Sequence, residues 1–236
     1  MRLAIVTGGS RGLGAALCQQ LAADGFRLIE FSRSAPHPYS VATDLSDPLA
    51  SRAQLEKALA GIETESVTEL LAIHNAGTLD PIGPASRKAP SDIVANLNIN
   101  LVSPIAILAG VIAKFQDNSC RKVVACVSSG AALRPFSGWS LYDAAKAGMD
   151  HFVRTLALEQ ASLPHPFIAV NFDPGVIDTE MQALIRSSTK NDFPDVDRFI
   201  QRKEKGQLAP PAKVAASLVA LLSRHDLVGG ERYSAG

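Results

Sequence analysis

Short apolar runs rich in branched side chains alternate along the chain with segments whose apolar positions recur every third or fourth residue. Residues 3–6 read as a strand, followed by a helix over 13–23 in which Leu13, Leu17 and Leu21 share one face. Residues 26–31 form a second predicted strand, 40–43 a short third, 51–59 a helix, and 69–73 a buried strand closed by Asn75-Ala76-Gly77. A long helix is predicted over 91–115, then a strand over 123–127 and a helix over 142–160. A strand over 167–172, a helix over 212–223 and a short last strand at 231–233 complete the series. Strand and helix repeated in this order predict parallel βαβ units with right-handed crossovers, a doubly wound α/β sheet of about seven strands with helices on both faces.

Residues 180–206 break the rhythm: they are rich in charge and interrupted by Pro194. They read as an excursion over the active site rather than a linker, so residues 1–236 are expected to form a single domain. Composition agrees, with 47% hydrophobic and 19% charged residues and no net charge. An α/β chain of this length buries roughly three quarters of its unfolded surface without disulfides. The neutral balance gives no electrostatic footprint for nucleic acid or a membrane surface. Cys18, Cys120 and Cys126 make no CxxC pair or Cys/His cluster, so no metal site is expected. No apolar run is read as approaching the roughly 20 residues of a membrane span, and residues 1–6 read as a strand, not a signal peptide. The expected location is cytoplasmic.

The first candidate chemistry is Thr7-Gly8-Gly9-Ser10-Arg11-Gly12-Leu13-Gly14, between the first strand and the first helix. Glycines there permit a tight turn and let backbone approach a pyrophosphate, while the helix start offers unpaired N–H groups and the positive end of a dipole. A second constellation is Tyr142-Asp143-Ala144-Ala145-Lys146, whose spacing of four puts Tyr142 and Lys146 on one helical face. A free phenol titrates near pH 10, and an adjacent ammonium is expected to lower that value. Ser128 and Ser129 close the strand at 123–127, the strand end where open parallel sheets bind ligands. Strand alternation turns Ser128 to the other side, leaving Ser129 as the hydroxyl for a carbonyl oxygen.

The glycine spacing resembles the TGxxxGxG turn of the short-chain dehydrogenase/reductase family, and further motifs follow in family order. Ser129 lies thirteen residues before Tyr142, as in the family. His74-Asn75-Ala76-Gly77 resembles the family's NNAG with His74 in place of the first Asn; His74 is given no chemistry. Among Asn96, Asn98 and Asn100, the segment Asn100-Leu101-Val102-Ser103 best matches the helix Asn that holds a water leading to the Lys. The resemblance therefore implies a Rossmann-type fold and a catalytic set of Asn100, Ser129, Tyr142 and Lys146. It implies a cofactor site at Gly8, Ser10, Arg11, Gly12, Leu13 and Gly14, with Asp44 and Leu45 at the adenine edge and Asn75, Ala76 and Gly77 beyond. Tyr142 and Lys146 also face the cofactor. In Asp173-Pro174-Gly175-Val176-Ile177-Asp178-Thr179, Pro174 and Gly175 form the family's turn, Ile177 binds the nicotinamide carboxamide, and Thr179 binds that group or a phosphate.

An acid at the end of the second strand selects free ribose hydroxyls, whereas a 2′-phosphate selects cations. The family's NAD-selecting Asp position holds Ser32, Arg33 follows, and Arg11 is expected to approach the same phosphate. NADP(H) is the implied cofactor, with Glu30 an opposing charge nearby. The segments Gly138–Tyr142 and 171–182 are similar to a narrower subgroup, the sepiapterin reductases and the bacterial benzil reductases that form (S)-benzoin. That likeness implies an NADPH-dependent carbonyl reductase acting on a small vicinal dicarbonyl or similar ketone, with Phe136, Trp139, Met181 and Phe193 as candidates for an apolar wall. A reductase or dehydrogenase for another alcohol, such as a 3-oxoacyl thioester, and a non-catalytic NADP(H)-binding regulatory protein are the alternatives. Family members associate through their two long helices, so a homodimer or homotetramer is implied.

Overall fold

Strand β1 (Arg2–Thr7) lies between β2 (Arg27–Ser32) and β4 (Glu69–His74), all parallel, with Leu3 opposite Arg27 on one side and Leu70 on the other. With β3 (Ser40–Ala42), β5 (Arg121–Val127), β6 (Phe167–Asp173) and β7 (Arg232–Ser234), the order across the sheet is β3-β2-β1-β4-β5-β6-β7. These are findings of a computed structural model, which describes residues 1–235. Strand order reverses between β1 and β4, and in such sheets the crevice beyond the strand ends at that point is the ligand site.

Both sheet faces are covered. Helix α1 (Gly12–Ala23) and α8 (Pro211–Leu222) seal one face through Leu17, Leu21, Val214 and Leu218 against Ala4, Val6 and Val170. The other face carries α2 (Pro48–Leu59), α4 (Ser103–Phe115) and α5 (Ser140–Gln160), which bring Leu55, Ile107, Val111, Met149 and Val153 onto Ile5, Ala72 and Val124. Each such Leu, Ile or Val is fully buried and adds roughly 1.5–3 kcal/mol. Strand β2 illustrates the pattern of a sheet covered on both faces: Leu28 to Ser32 are all buried, without alternation.

The helix expected over 91–115 is one run interrupted in the middle. Helix α3 (Pro90–Leu97) passes through a wider π-helical turn, Asn98–Val102, into α4. Pro104 has no N–H for the carbonyl four residues back, which is that of Asn100. The ladder widens there, and the Ser103 N–H bonds the Asn98 carbonyl five residues back. Contrary to expectation, the run Pro90–Phe115 is 26 residues long and apolar enough to match a membrane span in length and composition. Here its apolar side (Ile107, Leu108, Val111 and Phe115) is buried in the core.

The excursion at 180–206 holds α6 (Glu180–Arg186) and α7 (Val196–Glu204). It has its own small core, in which Ile185, Phe193, Val196 and Phe199 pack on Leu79, Trp139 and Tyr142.

Candidate active site

The glycine turn leaves β1 and enters α1 with Gly8 at φ +72° and Gly12 at φ +55°, both in the left-handed region that favours glycine. A Cβ at Gly14 would lie 1.9 Å from the Gly8 carbonyl oxygen, so the third glycine allows the turn to fold onto its own helix. Asn75 Nδ2 donates to the Gly8 carbonyl at 2.9 Å, which ties the end of β4 to the turn, and Ala76 packs against Gly8. The first residues of α1 have no side-chain cap, so the N–H groups around Ser10, Arg11, Gly12 and Leu13 have no capping side chain as a partner among the described residues. Such a start suits the pyrophosphate of a dinucleotide.

Beneath the turn lies a charge that sequence reading placed only nearby. Glu30 is fully buried and accepts from the Gly9 N–H at 2.8 Å, the Ser32 hydroxyl at 3.0 Å and the Ser40 hydroxyl at 2.6 Å. A carboxylate taken out of water needs such donors, and these three tie the turn to β2 and β3. The only sequence signal was a Glu within an otherwise apolar strand. Ser32 thus has its hydroxyl engaged by Glu30, while Arg33 is exposed and makes no ion pair within 4.0 Å among the described residues. Arg33 lies near enough to Asp44 to favour its carboxylate, although the chief cause of the lowered Asp44 pKa is the Ser46 N–H at 2.9 Å. Leu45 is buried, and its carbonyl accepts from Ser103 at 2.7 Å. Arg11 departs from expectation: its guanidinium pairs with Glu180 at the start of α6 and so turns toward the excursion, not toward Arg33.

The second half of the site gathers on α5 and the ends of β5 and β6. Tyr142 and Lys146 are both buried, with Lys146 Nζ 5.5 Å from the Tyr142 ring centroid. Lys146 donates to the Val127 carbonyl at 2.8 Å. Ser129 follows β5 in extended backbone, its hydroxyl facing the phenol and accepting from the Ala131 N–H at 3.2 Å. Ser128 points the other way and donates to Asp150 at 2.5 Å.

Burial pushes the Tyr142 phenol up to about 12, Ser129 opposes this, and Asp173 and Asp143 add to it. The expectation that Lys146 would hold the phenol below its ordinary value is therefore reversed in the protein alone, because burial outweighs it. The same burial, and after it the Arg232 charge, brings the Lys146 ammonium down to about 8, against the favourable charge of Asp150. Desolvation penalises whichever form is charged, which raises an acid and lowers a base.

Asn100 is fully buried at the centre of the π-helical turn. Its amide donates to the Thr78 carbonyl at 2.9 Å and accepts from the Thr78 N–H at 2.9 Å, fixing its orientation. A Cβ at Gly77 would stand 3.1 Å from Asn100 Oδ1 and 3.9 Å from Lys146 Nζ, so Gly77 leaves the space in which the two approach. Across the site, Gly175 has φ +68° in the turn after Pro174, and its N–H bonds the Asp173 carboxylate at 3.0 Å. Ile177 bridges to Ala209 beside it. Thr179 reaches the glycine turn itself: a Cβ at Gly12 would lie 3.3 Å from its methyl group.

Of the expected apolar wall, Phe193 is fully buried and stacks on Trp139 at 4.7 Å, which makes it packing behind the wall. Trp139 meets the Tyr142 ring edge-on at 6.1 Å, and Phe136 and Met181 are half-buried beside it.

A sequence model described as short chain dehydrogenase matches residues 2–190. The chain is 35% identical over 229 residues to benzil reductase ((S)-benzoin forming) of Bacillus subtilis, covering 95% of this chain and 94% of the relative. It is 30% identical to the sepiapterin reductase of Meriones unguiculatus, covering 96% and 93%. The solved structure of the KRED1-Pglu enzyme superposes with a TM-score of 0.83 at 26% identity, covering 98% of this chain and all of that one.

Proposed function

The chain belongs to the short-chain dehydrogenase/reductase family, and within that family of oxidoreductases we propose that it is an NADPH-dependent carbonyl reductase for small vicinal dicarbonyls or sepiapterin-like ketones. The observation that carries this reading is the meeting of Tyr142, Lys146 and Ser129 at the strand ends, beside a glycine turn with free N–H groups. Family members bind nicotinamide dinucleotides, and the turn fits one because Gly8, Gly12 and Gly14 let the chain fold tightly against Ala76, Thr179 and its own helix, with no side chain capping the N–H groups at the start of α1. Gly8, Ser10, Arg11, Gly12, Leu13 and Gly14 hold the pyrophosphate; Asp44, Leu45, Asn75, Ala76 and Gly77 line the adenosine side; Pro174, Gly175, Ile177 and Thr179 hold the nicotinamide side.

The absence of an acid at Ser32 and the exposed Arg33, without an ion pair among the described residues, support the 2′-phosphorylated form. When bound, a reduced nicotinamide would supply the hydride that the carbonyl carbon takes up. Tyr142, neutral at physiological pH, gives its phenolic proton to the carbonyl oxygen as charge develops there. Ser129 donates to the same oxygen and orients it. Lys146 stabilises the phenolate left behind, and Asn100 holds the water through which the proton is replaced. Trp139, Phe136 and Met181 supply the apolar side on which an aryl or pterin ring rests. We also assign a homodimer or homotetramer through the helical run 90–115 and α5, which leave Val94, Val102 and Leu158 exposed.

The test is consumption of NADPH and of NADH against benzil, sepiapterin, simple ketones and a 3-oxoacyl thioester. NADPH oxidation with the first two is expected. Turnover confined to the thioester would replace the substrate class, faster use of NADH would overturn the coenzyme, and nucleotide binding with no turnover would leave a binding protein.

A further inference from the structure

We propose that Arg232, on the last strand, is a positioning residue that locks the backbone of Ser129 and holds the Asp173 carboxylate in a charge pair beside Tyr142. The inference rests on the reductase reading above but concerns a residue outside the four that reading uses.

One Arg232 nitrogen donates to the Ser129 carbonyl at 2.7 Å and to Asp173 Oδ2 at 2.8 Å. The other donates to the Ser128 hydroxyl at 2.7 Å and to Asp150. These acceptors come from the end of β5, the end of β6 and the middle of α5, the three elements that carry Ser129, the Asp173-Pro174-Gly175 turn and the Tyr142–Lys146 pair. Strand pairing aims the side chain there, because Asn171 lies opposite Arg232 and Asp173 opposite Ser234. The clamp is shielded from water: the Arg232, Asp150 and Asp173 side chains are 20%, 7% and 24% exposed. A planar guanidinium with five fixed donors serves four acceptors at once, which a single ammonium cannot do.

The charges around the phenol give the clamp a second effect. Tyr142 is faced by Asp143 and Lys146 from its own helix, by Ser129 from β5 and by Asp173 from β6. From the excursion it meets apolar side chains, Ile185, Phe193, Val196 and Phe199. Asp173 opposes ionisation of the phenol, and Arg232 is the cation paired with Asp173. Arg232 also opposes the charge on Lys146, while Asp150 favours it. Without Arg232 the Asp173 charge acts on Tyr142 uncompensated, and the phenolate becomes harder to form.

Oxidation of the product alcohol by the oxidised coenzyme requires that phenolate, so its pH dependence separates the clamp from mere fold support. Arg232→Gln is expected to lower kcat about 10- to 100-fold, the loss for charge-assisted hydrogen bonds. It is also expected to move the rising limb of the oxidation profile to higher pH, in a range that the positive ring of the oxidised coenzyme would bring below the phenol's value in the protein alone. Arg232→Lys keeps the charge and restores the limb, but not the full kcat. Asp173→Asn, which leaves Arg232 in place, moves the limb down, and it decides the matter if Arg232→Gln does not fold. An active wild type with unchanged kcat and limb in Arg232→Gln, or an unmoved limb in Asp173→Asn, overturns the proposal. A wild type without turnover overturns the reductase reading instead.

Discussion

Lys146 Nζ stands 5.5 Å from the centroid of the Tyr142 ring, one helical turn along α5, and donates to the Val127 carbonyl 2.8 Å away. Burial acts on the two groups in opposite directions, favouring the neutral phenol and weakening the ammonium. Near neutral pH the pair therefore rests as a phenol beside a mostly charged amine, the form that the proposed proton transfer to a carbonyl requires.

Replacing Tyr142 by Phe keeps the ring against Trp139 and removes the acidic proton. Carbonyl reduction is expected to fall by about 10²–10⁴, the usual contribution of a positioned general acid. Coenzyme affinity, measured by calorimetric titration, is expected to stay at the wild-type value. Full turnover in this variant would remove Tyr142 from the mechanism.

The Lys146 ammonium, brought down to about 8, predicts a reduction rate that declines above pH 8 as the charge is lost. Arginine stays charged throughout that range. Lys146→Arg should therefore be slower but lack the decline between pH 8 and 9.5, as read from kcat/KM profiles. A wild-type profile flat to pH 9.5 would contradict the assignment.

Arg33→Ala tests the coenzyme assignment alone. Loss of one charge-assisted contact to the 2′-phosphate is expected to reduce kcat/KM for NADPH about 10- to 100-fold. The value for NADH should barely change. Equal losses with both nucleotides would show that Arg33 does not read the phosphate.

His74 predicts an acid limit on stability. Thr7 Oγ1 receives the Asn75 and Ala76 N–H groups and gives its own proton to His74 Nδ1 at 2.8 Å, which assigns the ring as the neutral Nε2–H form. That N–H meets no partner among the described residues, and a cavity of about 10 Å³ lies beside the ring. Burial first, and the Lys146 charge second, bring the pKa from 6.5 down to about 3. Between these values the unfolded chain binds the proton and the folded one does not, so stability is intact above pH 6.5 and falls as the pH drops toward 3. At pH 5 the loss is about 2 kcal/mol, from 1.36 kcal/mol per pH unit. His74→Asn should flatten urea-unfolding free energies between pH 7 and 5; an unchanged slope would mean that other groups set it.

Much of this was legible because the signals were local. Buried runs such as 123–127, helical faces such as Leu13, Leu17 and Leu21, and the glycine turn each fix their own backbone, and their alternation implies parallel strands with right-handed crossovers, while the order of strands across the sheet is seen only in the structure. The π-helical turn was not read, although Pro104 was its visible cause: a proline normally bends or ends a helix, and here it widens one turn around Asn100. Glu30 and Arg232 were missed because their meaning is set by partners far along the chain, 21 residues for Gly9 and 103 for Ser129. The Tyr142 titration was misjudged because spacing shows a neighbouring charge but not the depth of burial.

Trp139 is the chain's single tryptophan, stacked on Phe193 and edge-on to the Tyr142 ring. The protein thus carries a built-in fluorophore against its own candidate active site. Its emission reports ligand arrival and any parting of the excursion from α5 in real time, with no dye attached and no second indole to blur the signal.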